Sequence, residues 1–216
     1  VKEIRSDMGS NAQMNRLLQG DVGSGKTIVA FMSMLLAIDN DFQACLMAPT
    51  EILADQHAKN ISAMMKKLSD VHPGKEIKVS LLLGGQKKSE REKRLQEIEL
   101  QEADIIVGTH ALFEEKVNYK KLGLVVIDEQ HRFGVRQRAK LQSKGKTPKV
   151  LVMSATPIPR TLNLSLLGAR DLSIIATPPP NRQPIYTNVS TFDALKIREW
   201  IMNELKRNGQ VYLVHD

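Results

Sequence analysis

The chain has 216 residues, 42% hydrophobic and 25% charged, enough to bury the core of one globular domain and begin another. A formal charge of +7 attracts polyanions, and 4% aromatic content suits contact with phosphate backbones better than a platform that stacks many bases. No apolar run approaches the ~20 residues of a membrane span, Val1-Lys2-Glu3-Ile4-Arg5 lacks a signal peptide's apolar stretch, and the lone Cys45 excludes an internal disulfide, which fits a cytosolic, cytoplasmic setting.

The first predicted strand, at 16–19, runs into Gly20-Asp21-Val22-Gly23-Ser24-Gly25-Lys26-Thr27 and a helix over 26–38. This is G-x-x-x-x-G-K-[ST] in its strand–loop–helix setting. Glycines let backbone N–H groups turn inward around phosphates, and the helix N-terminus adds partial positive charge. Gly20, Gly23, Ser24, Gly25, Lys26 and Thr27 are the candidate nucleotide cradle. Lys26 would reach the β- and γ-phosphates and the Thr27 hydroxyl would ligate Mg²⁺. The bland reading is a chance glycine-rich turn; the full set of fixed positions in the right context speaks against it.

The strand at 43–48 holds Cys45 in the run Ala44-Cys45-Leu46-Met47-Ala48, where a thiol reads as a small buried hydrophobe. Ala48-Pro49-Thr50-Glu51 then leads into a helix over 51–68, with Leu53, Ile61, Met64, Met65 and Leu68 apolar. Thr50 is either the N-cap of that helix or a ligand for a phosphate backbone at the sheet edge. Met32, Met34, Met64 and Met65 read as core filler and not as a cofactor box. After a strand at 78–83 the helix over 89–101 is densely charged. Residues 87–94 read as a solvated face, with contact to DNA as the alternative. The strand at 104–107 ends in Gly108-Thr109-His110, where Thr109 and His110 are further candidates for a nucleic-acid backbone, against an ordinary structural loop.

Leu124-Val125-Val126-Ile127 is continuously apolar, as expected of a strand covered on both faces. It ends in Asp128-Glu129-Gln130-His131. In a parallel sheet these carboxylates emerge at the same edge as the phosphate loop. Asp128 would hold Mg²⁺ through water and Glu129 would orient and deprotonate an attacking water; the bland reading is acidic charge at a helix start. His131-Arg132-Phe133-Gly134-Val135-Arg136-Gln137-Arg138 follows, as solvated surface or as a contact to DNA or a partner lobe. The strand at 150–153 ends in Ser154-Ala155-Thr156-Pro157, whose hydroxyls could relay between nucleotide and DNA, against an ordinary turn stopped by proline. The alternation of strands and helices predicts a parallel α/β sheet with right-handed crossovers.

Thr177-Pro178-Pro179-Pro180-Asn181-Arg182 marks a boundary, because the prolines stop regular structure and stiffen the chain. Beyond it come an extended piece at 185–189, a helix at about 194–207 with Ile197, Trp200, Ile201 and Leu205 on one face, a C-cap at Gly209 and a strand over 210–215. The expected organisation is 1–176 as a nucleotide-binding lobe, 177–190 as linker and extended segment, and 191–216 as the truncated start of a second lobe. Val1 in place of a start methionine points to a piece of a longer chain.

GDVGSGKT, MAPTEILADQH, VGTHALF, VVIDEQHRFGVRQR and SATPIPRTL, in this order, resemble the DEAD/DExH helicase superfamily, and closer still its RecG family of bacterial branch-migration helicases. Ser24 and Gln130 look RecG-like. The stretch from Leu167 to Pro179 looks more like the transcription-repair coupling factor Mfd, a relative that displaces stalled RNA polymerase. The resemblance covers essentially the whole chain. It implies a RecA-like P-loop NTPase lobe, a parallel sheet flanked by helices, with the start of a second such lobe. It further implies Mg-ATP hydrolysis driving translocation on double-stranded DNA to remodel forks and Holliday junctions in recombination and repair.

Under the same resemblance Lys26, Asp128 and Glu129 are catalytic, and Gly23, Gly25 and Thr27 complete the nucleotide site. Thr50, Thr109 and His110 face DNA. Ser154, Thr156 and Arg160, continued by Thr161, form the coupling segment. The family's second lobe supplies arginines of a kind worth roughly 10³–10⁵ in rate in related NTPases. Its DNA-reading wedge domain lies upstream. With both outside this chain, the expectation is modest nucleotide binding and very slow turnover. Two other classes compete. A P-loop NTPase that does not act on nucleic acid leaves the ordered Asp128-Glu129-Gln130-His131 and Ser154-Ala155-Thr156 unexplained, and a regulatory nucleotide-binding module leaves Glu129 without a role.

Overall fold

The computed structural model describes residues 1–71, 76–128, 148–155, 171–177 and 185–214. The expectations for Glu129, Gln130, Arg132, Arg136, Arg138, Thr156, Arg160, Thr161 and the prolines at 178–180 lie outside them. The chain separates into two compact units, Val1–Pro180 and Asn181–Asp216.

The first unit runs α1 (Lys2–Gly9), β1 (Asn15–Gly20), α2 (Lys26–Ile38), β2 (Gln43–Met47), α3 (Glu51–Val71), β3 (Val79–Leu82), α4 (Lys88–Glu99), β4 (Ile105–Gly108), a 3-10 turn (His110–Phe113), β5 (Leu122–Asp128), β6 (Lys149–Ser154) and β7 (Asp171–Ile175). Its strands form one seven-stranded sheet in the order β3-β4-β2-β5-β6-β1-β7. Every pairing among them is parallel. The parallel α/β architecture expected from the alternating pattern is the one the chain adopts.

The period-2 geometry of strands explains why the central ones are apolar throughout. Ala44, Leu46, Ile105, Val107, Leu124, Val126, Leu151 and Met153 pack on one face with α2 and α3 residues such as Met34, Ala54 and Ile61. Cys45, Met47, Ile106, Val125, Ile127 and Val152 pack on the other with Ile98, Leu112 and Phe113. Each strand therefore separates two cores, and a polar residue at either parity would be buried. Gln43 shows the consequence. It is fully buried, and its side-chain amide donates to the carbonyls of Ile98 and Ala103 at 2.9 and 3.0 Å while its oxygen accepts from the N–H groups of Lys120 and Lys121 at 3.0 and 3.2 Å. Cys45 is buried as expected, and desolvation pushes its thiol up to about 12, opposed by a hydrogen bond with Tyr119.

Helix α1 and strand β7 had no strong signal in the sequence. One arginine holds both. Arg16, 8% exposed on β1, donates to Asp7 Oδ2 at 2.6 Å, to Glu3 Oε2 at 3.3 Å and to Ser173 Oγ at 2.8 Å. Lys149 adds bonds to the carbonyls of Asp7 and Ser10 at 3.2 and 2.8 Å. The charged helix α4 is largely exposed, with Arg91 paired to Glu114 at 2.6 Å and Arg94 to Glu97 at 2.9 Å, as a solvated face should be.

Three expectations need correction. Met32 is 46% exposed, so it is no core filler, whereas Met34 is fully buried. Residues 210–214 form no strand; a strand must share its backbone bonds with a neighbour, and the described part of the second unit contains no other strand. The left-handed residue closing its helix is Asn208, at φ 59°, not Gly209. That helix, α5 (Ala194–Lys206), is N-capped by Asp193, whose Oδ1 accepts from Leu195 and Lys196 N–H at 2.9 and 3.2 Å. None of its residues is buried.

Candidate nucleotide site

β1 ends at Gly20 and the chain turns directly into α2. The turn demands glycine: Gly23 stands at φ 79° and Gly25, the N-cap residue, at φ 94°, a region costly for residues with a Cβ. Because Gly25 has no side chain to cap the helix, the first N–H groups of α2 are left for an external anion, and the helix dipole favours that charge. Lys26 Nζ donates to the loop's own carbonyls, Gly20 O at 2.7 Å and Asp21 O at 2.8 Å. The lysine is thus folded over the loop it would share with phosphate. Ser24 Oγ is buried without a hydrogen-bond partner. A Cβ at Gly20 would meet Ser24 Oγ at 2.6 Å and Ile175 Cβ at 3.1 Å, so a side chain there would force both neighbours to shift. A donor-lined loop with an orphaned hydroxyl and a folded-back lysine fits a nucleotide phosphate chain.

Asp128 is the last residue of β5 and pairs in register with Met153, which pairs with Leu18 of β1. Only β6 separates the two strands, so Asp128 stands two strand spacings, about 9.5 Å, to the side of β1. Ser154, fully buried, ends β6 between them and pairs with Gln19. Asp128, Ser154, Lys26 and Thr27 therefore share the carboxyl edge of the sheet although they are far apart in sequence. Among the described residues no group of three or more His, Cys, Asp or Glu side chains forms a metal cluster. The donor set here is one carboxylate and one hydroxyl beside a phosphate loop. That set suits Mg²⁺, which takes few protein ligands and completes its shell with phosphate oxygens and water.

A residue without an assigned role enters here. His57, on α3, places Nε2 2.7 Å from Asp128 Oδ2. Helical periodicity marked Ile61 and Met64 on that helix but could not reveal a partner on β5. Thr50, by contrast, does cap α3: its Oγ1 accepts from Leu53 N–H at 3.3 Å. Thr109 precedes the 3-10 turn, which begins at the exposed His110. Both stand at the carboxyl end of β4, on the same sheet edge as Thr50 after β2.

The profile of the DEAD/DEAH box helicase family matches residues 5–164. The chain is 46% identical over 215 residues to the ATP-dependent DNA helicase RecG of Streptococcus pneumoniae, covering 99% of this chain and 31% of that protein. It is 47% identical over 215 residues to the ATP-dependent DNA helicase RecG of Synechocystis sp., covering 99% and 25%. The solved structure of RecG bound to a three-way DNA junction superposes with a TM-score of 0.78 at 42% identity, over 99% of this chain and 28% of that one. The chain thus spans less than a third of the length of these relatives. Among the described residues no helix is long and apolar enough to cross a membrane.

Proposed function

The chain belongs to the DEAD/DEAH box helicase family, and on that footing we propose that it is the ATP-binding motor lobe of a RecG-type DNA helicase that remodels branched DNA in the cytoplasm. The observation that carries this reading is the convergence of the phosphate loop, Asp128 and Ser154 on one edge of a parallel sheet. The RecG relatives favour branched DNA as the substrate over displacement of RNA polymerase.

The roles in this reading are as follows. The N–H groups at the start of α2 and the Lys26 ammonium bind the phosphates, with Gly20, Gly23, Ser24 and Gly25 shaping the loop. Thr27 and Asp128 hold Mg²⁺, which when bound neutralises the charge that develops on the transferred phosphoryl group. Glu129, next in the chain after Asp128, orients the attacking water and takes its proton. Ser154, with Thr156 and Arg160, links the nucleotide site to the DNA side, where Thr50, Thr109 and His110 meet the phosphate backbone. Residues 1–176 make this lobe, 177–190 the connection, and 191–216 begin the second lobe. That lobe would contribute the arginines needed for fast turnover, and an upstream wedge domain would grip the junction.

The test takes the full-length protein and measures ATP-dependent unwinding of a synthetic four-way junction, with Lys26→Ala as control. Unwinding that disappears in the variant is expected. ATPase stimulated by plain duplex without junction unwinding would refute the RecG-type reading. The 216-residue chain alone should bind Mg-nucleotide and hydrolyse ATP very slowly, and substantial DNA-stimulated turnover from it would contradict the need for a second lobe.

A further inference from the structure

His57 lies almost two turns into α3, about 10 Å along the helix from Thr50. Ala54, Ala58 and Ile61 of the same helix are buried against the sheet, so α3 is fixed where His57 meets Asp128. The histidine side chain is 12% exposed and the aspartate 17%. Packing alone does not explain an imidazole here. Nδ1 is buried with no hydrogen-bond partner, whereas a leucine would fill such space without an unsatisfied polar atom. What His57 has that leucine lacks is the 2.7 Å bond to Asp128 Oδ2. A carboxylate only accepts, so Nε2 must carry the proton in that bond.

We propose that His57 is a positioning residue for Asp128: its Nε2–H fixes the carboxylate in the orientation that receives Mg²⁺ and ties it to the helix that begins at Thr50. The idea rests on the nucleotide-site reading above. It adds a physical link between the two sides of the lobe. The start of α3 is itself anchored, through Thr50 Oγ1 to Leu53 N–H and through Glu51 Oε1, which accepts from Gly85 N–H at 3.2 Å. A displacement of that helix start would therefore reach the metal carboxylate through one rigid helix and one hydrogen bond.

The experiment uses the 216-residue chain and a fluorescent ADP, titrated with Mg²⁺. Groups that orient a metal ligand typically contribute 10–100-fold in metal affinity. His57→Phe, which keeps a ring but has no donor, should raise the Mg²⁺ needed for half-saturation by about tenfold, leaving nucleotide affinity without metal within about twofold. His57→Gln, whose amide nitrogen also donates, should recover most of that loss. Lys26→Ala should weaken nucleotide binding with and without metal. In the metal-free chain, nitrogen NMR of His57 should show a proton on Nε2. The proposal is overturned by an unchanged Mg²⁺ dependence in both His57 variants, by an equal loss of metal-free nucleotide affinity, or by a proton on Nδ1 with Nε2 bare. Failure of the unmutated chain to bind nucleotide would overturn the site reading and this inference together, while binding with unchanged Mg²⁺ dependence overturns the inference alone.

Discussion

Gly25→Ala isolates the backbone requirement of the phosphate loop. Gly25 stands at φ 94° and ψ 15°, and a Cβ built there meets no atom within 4 Å. The substitution therefore adds no clash, and its cost is torsional. A non-glycine residue held in such a region costs on the order of 1–3 kcal/mol. The stiffer unfolded chain offsets about 0.4–1 kcal/mol of this, leaving roughly 1–2 kcal/mol. The loop has two ways to respond. If it keeps its conformation, folding stability falls by the full amount. If it relaxes, stability is preserved, but nucleotide binding must restore the strained turn, and affinity falls by about fivefold to thirtyfold. Both losses come from one strain, so destabilisation in urea plus lost binding free energy should sum to about 1–2 kcal/mol. Gly9→Ala is the control. A Cβ there also meets nothing, but the residue closes α1 outside the left-handed region, so alanine should be neutral or stabilising by up to about 1 kcal/mol. If Gly25→Ala changes neither quantity, or Gly9→Ala is equally harmful, the torsional argument is wrong.

Gln43→Met keeps the side chain's volume and removes its four hydrogen bonds. At about 1 kcal/mol each the expected loss is about 4 kcal/mol, or a melting temperature lower by roughly 8–16 °C; a loss below about 1 kcal/mol would mean that water replaces the bonds. Cys45 in the folded chain should resist alkylation at pH 8, because burial raises its thiol to about 12 from an ordinary 9.0. Below pH 9 both folded and unfolded chains keep the proton; between 9 and 12 the unfolded chain loses it first, so this thiol's contribution to stability falls as pH rises, and rapid labelling of native protein at pH 8 would refute the burial. Arg16→Met should release the segment that Arg16 clamps through Glu3 and Asp7, read as faster hydrogen exchange in α1 and β7 than in β5; uniform exchange across the three would contradict the clamp.

The strands most legible in the sequence are those buried on both faces. Leu124–Ile127 could be read because two cores require apolar side chains at both parities, and the same holds for β2, β4 and β6. β7 was not legible, since Asp171 and Ile174 are exposed and the strand is defined by pairing with β1. α1 was hidden for a related reason: only Ile4 is buried, and what holds the helix is an arginine on a different element. His57 shows the limit for the site. Its partner is 71 residues away, and neither helical period nor local motif carries that information. Thr50 is a case where the sequence offered two readings, and the structure shows its hydroxyl accepting from Leu53 N–H as the cap of α3.

The order of the motifs carries more information than their spacing. Gly20, Asp128 and Ser154 are separated by long stretches of chain, yet their neighbourhood depends only on β5, β6 and β1 being adjacent and parallel. In such a sheet every strand delivers its last residue to the same edge, and lateral distance is counted in steps of about 4.8 Å. Lengthening a connection between strands leaves these distances unchanged, because closing a longer loop costs little. Slipping β5 against β6 by a single residue would be far more damaging. It would exchange Val125 and Ile127 with Leu124 and Val126 between the two cores and carry Asp128 to the opposite face of the sheet. The apolar runs that build the cores therefore also set the register of the carboxylate, which ties the stability of the sheet to the geometry of the nucleotide site.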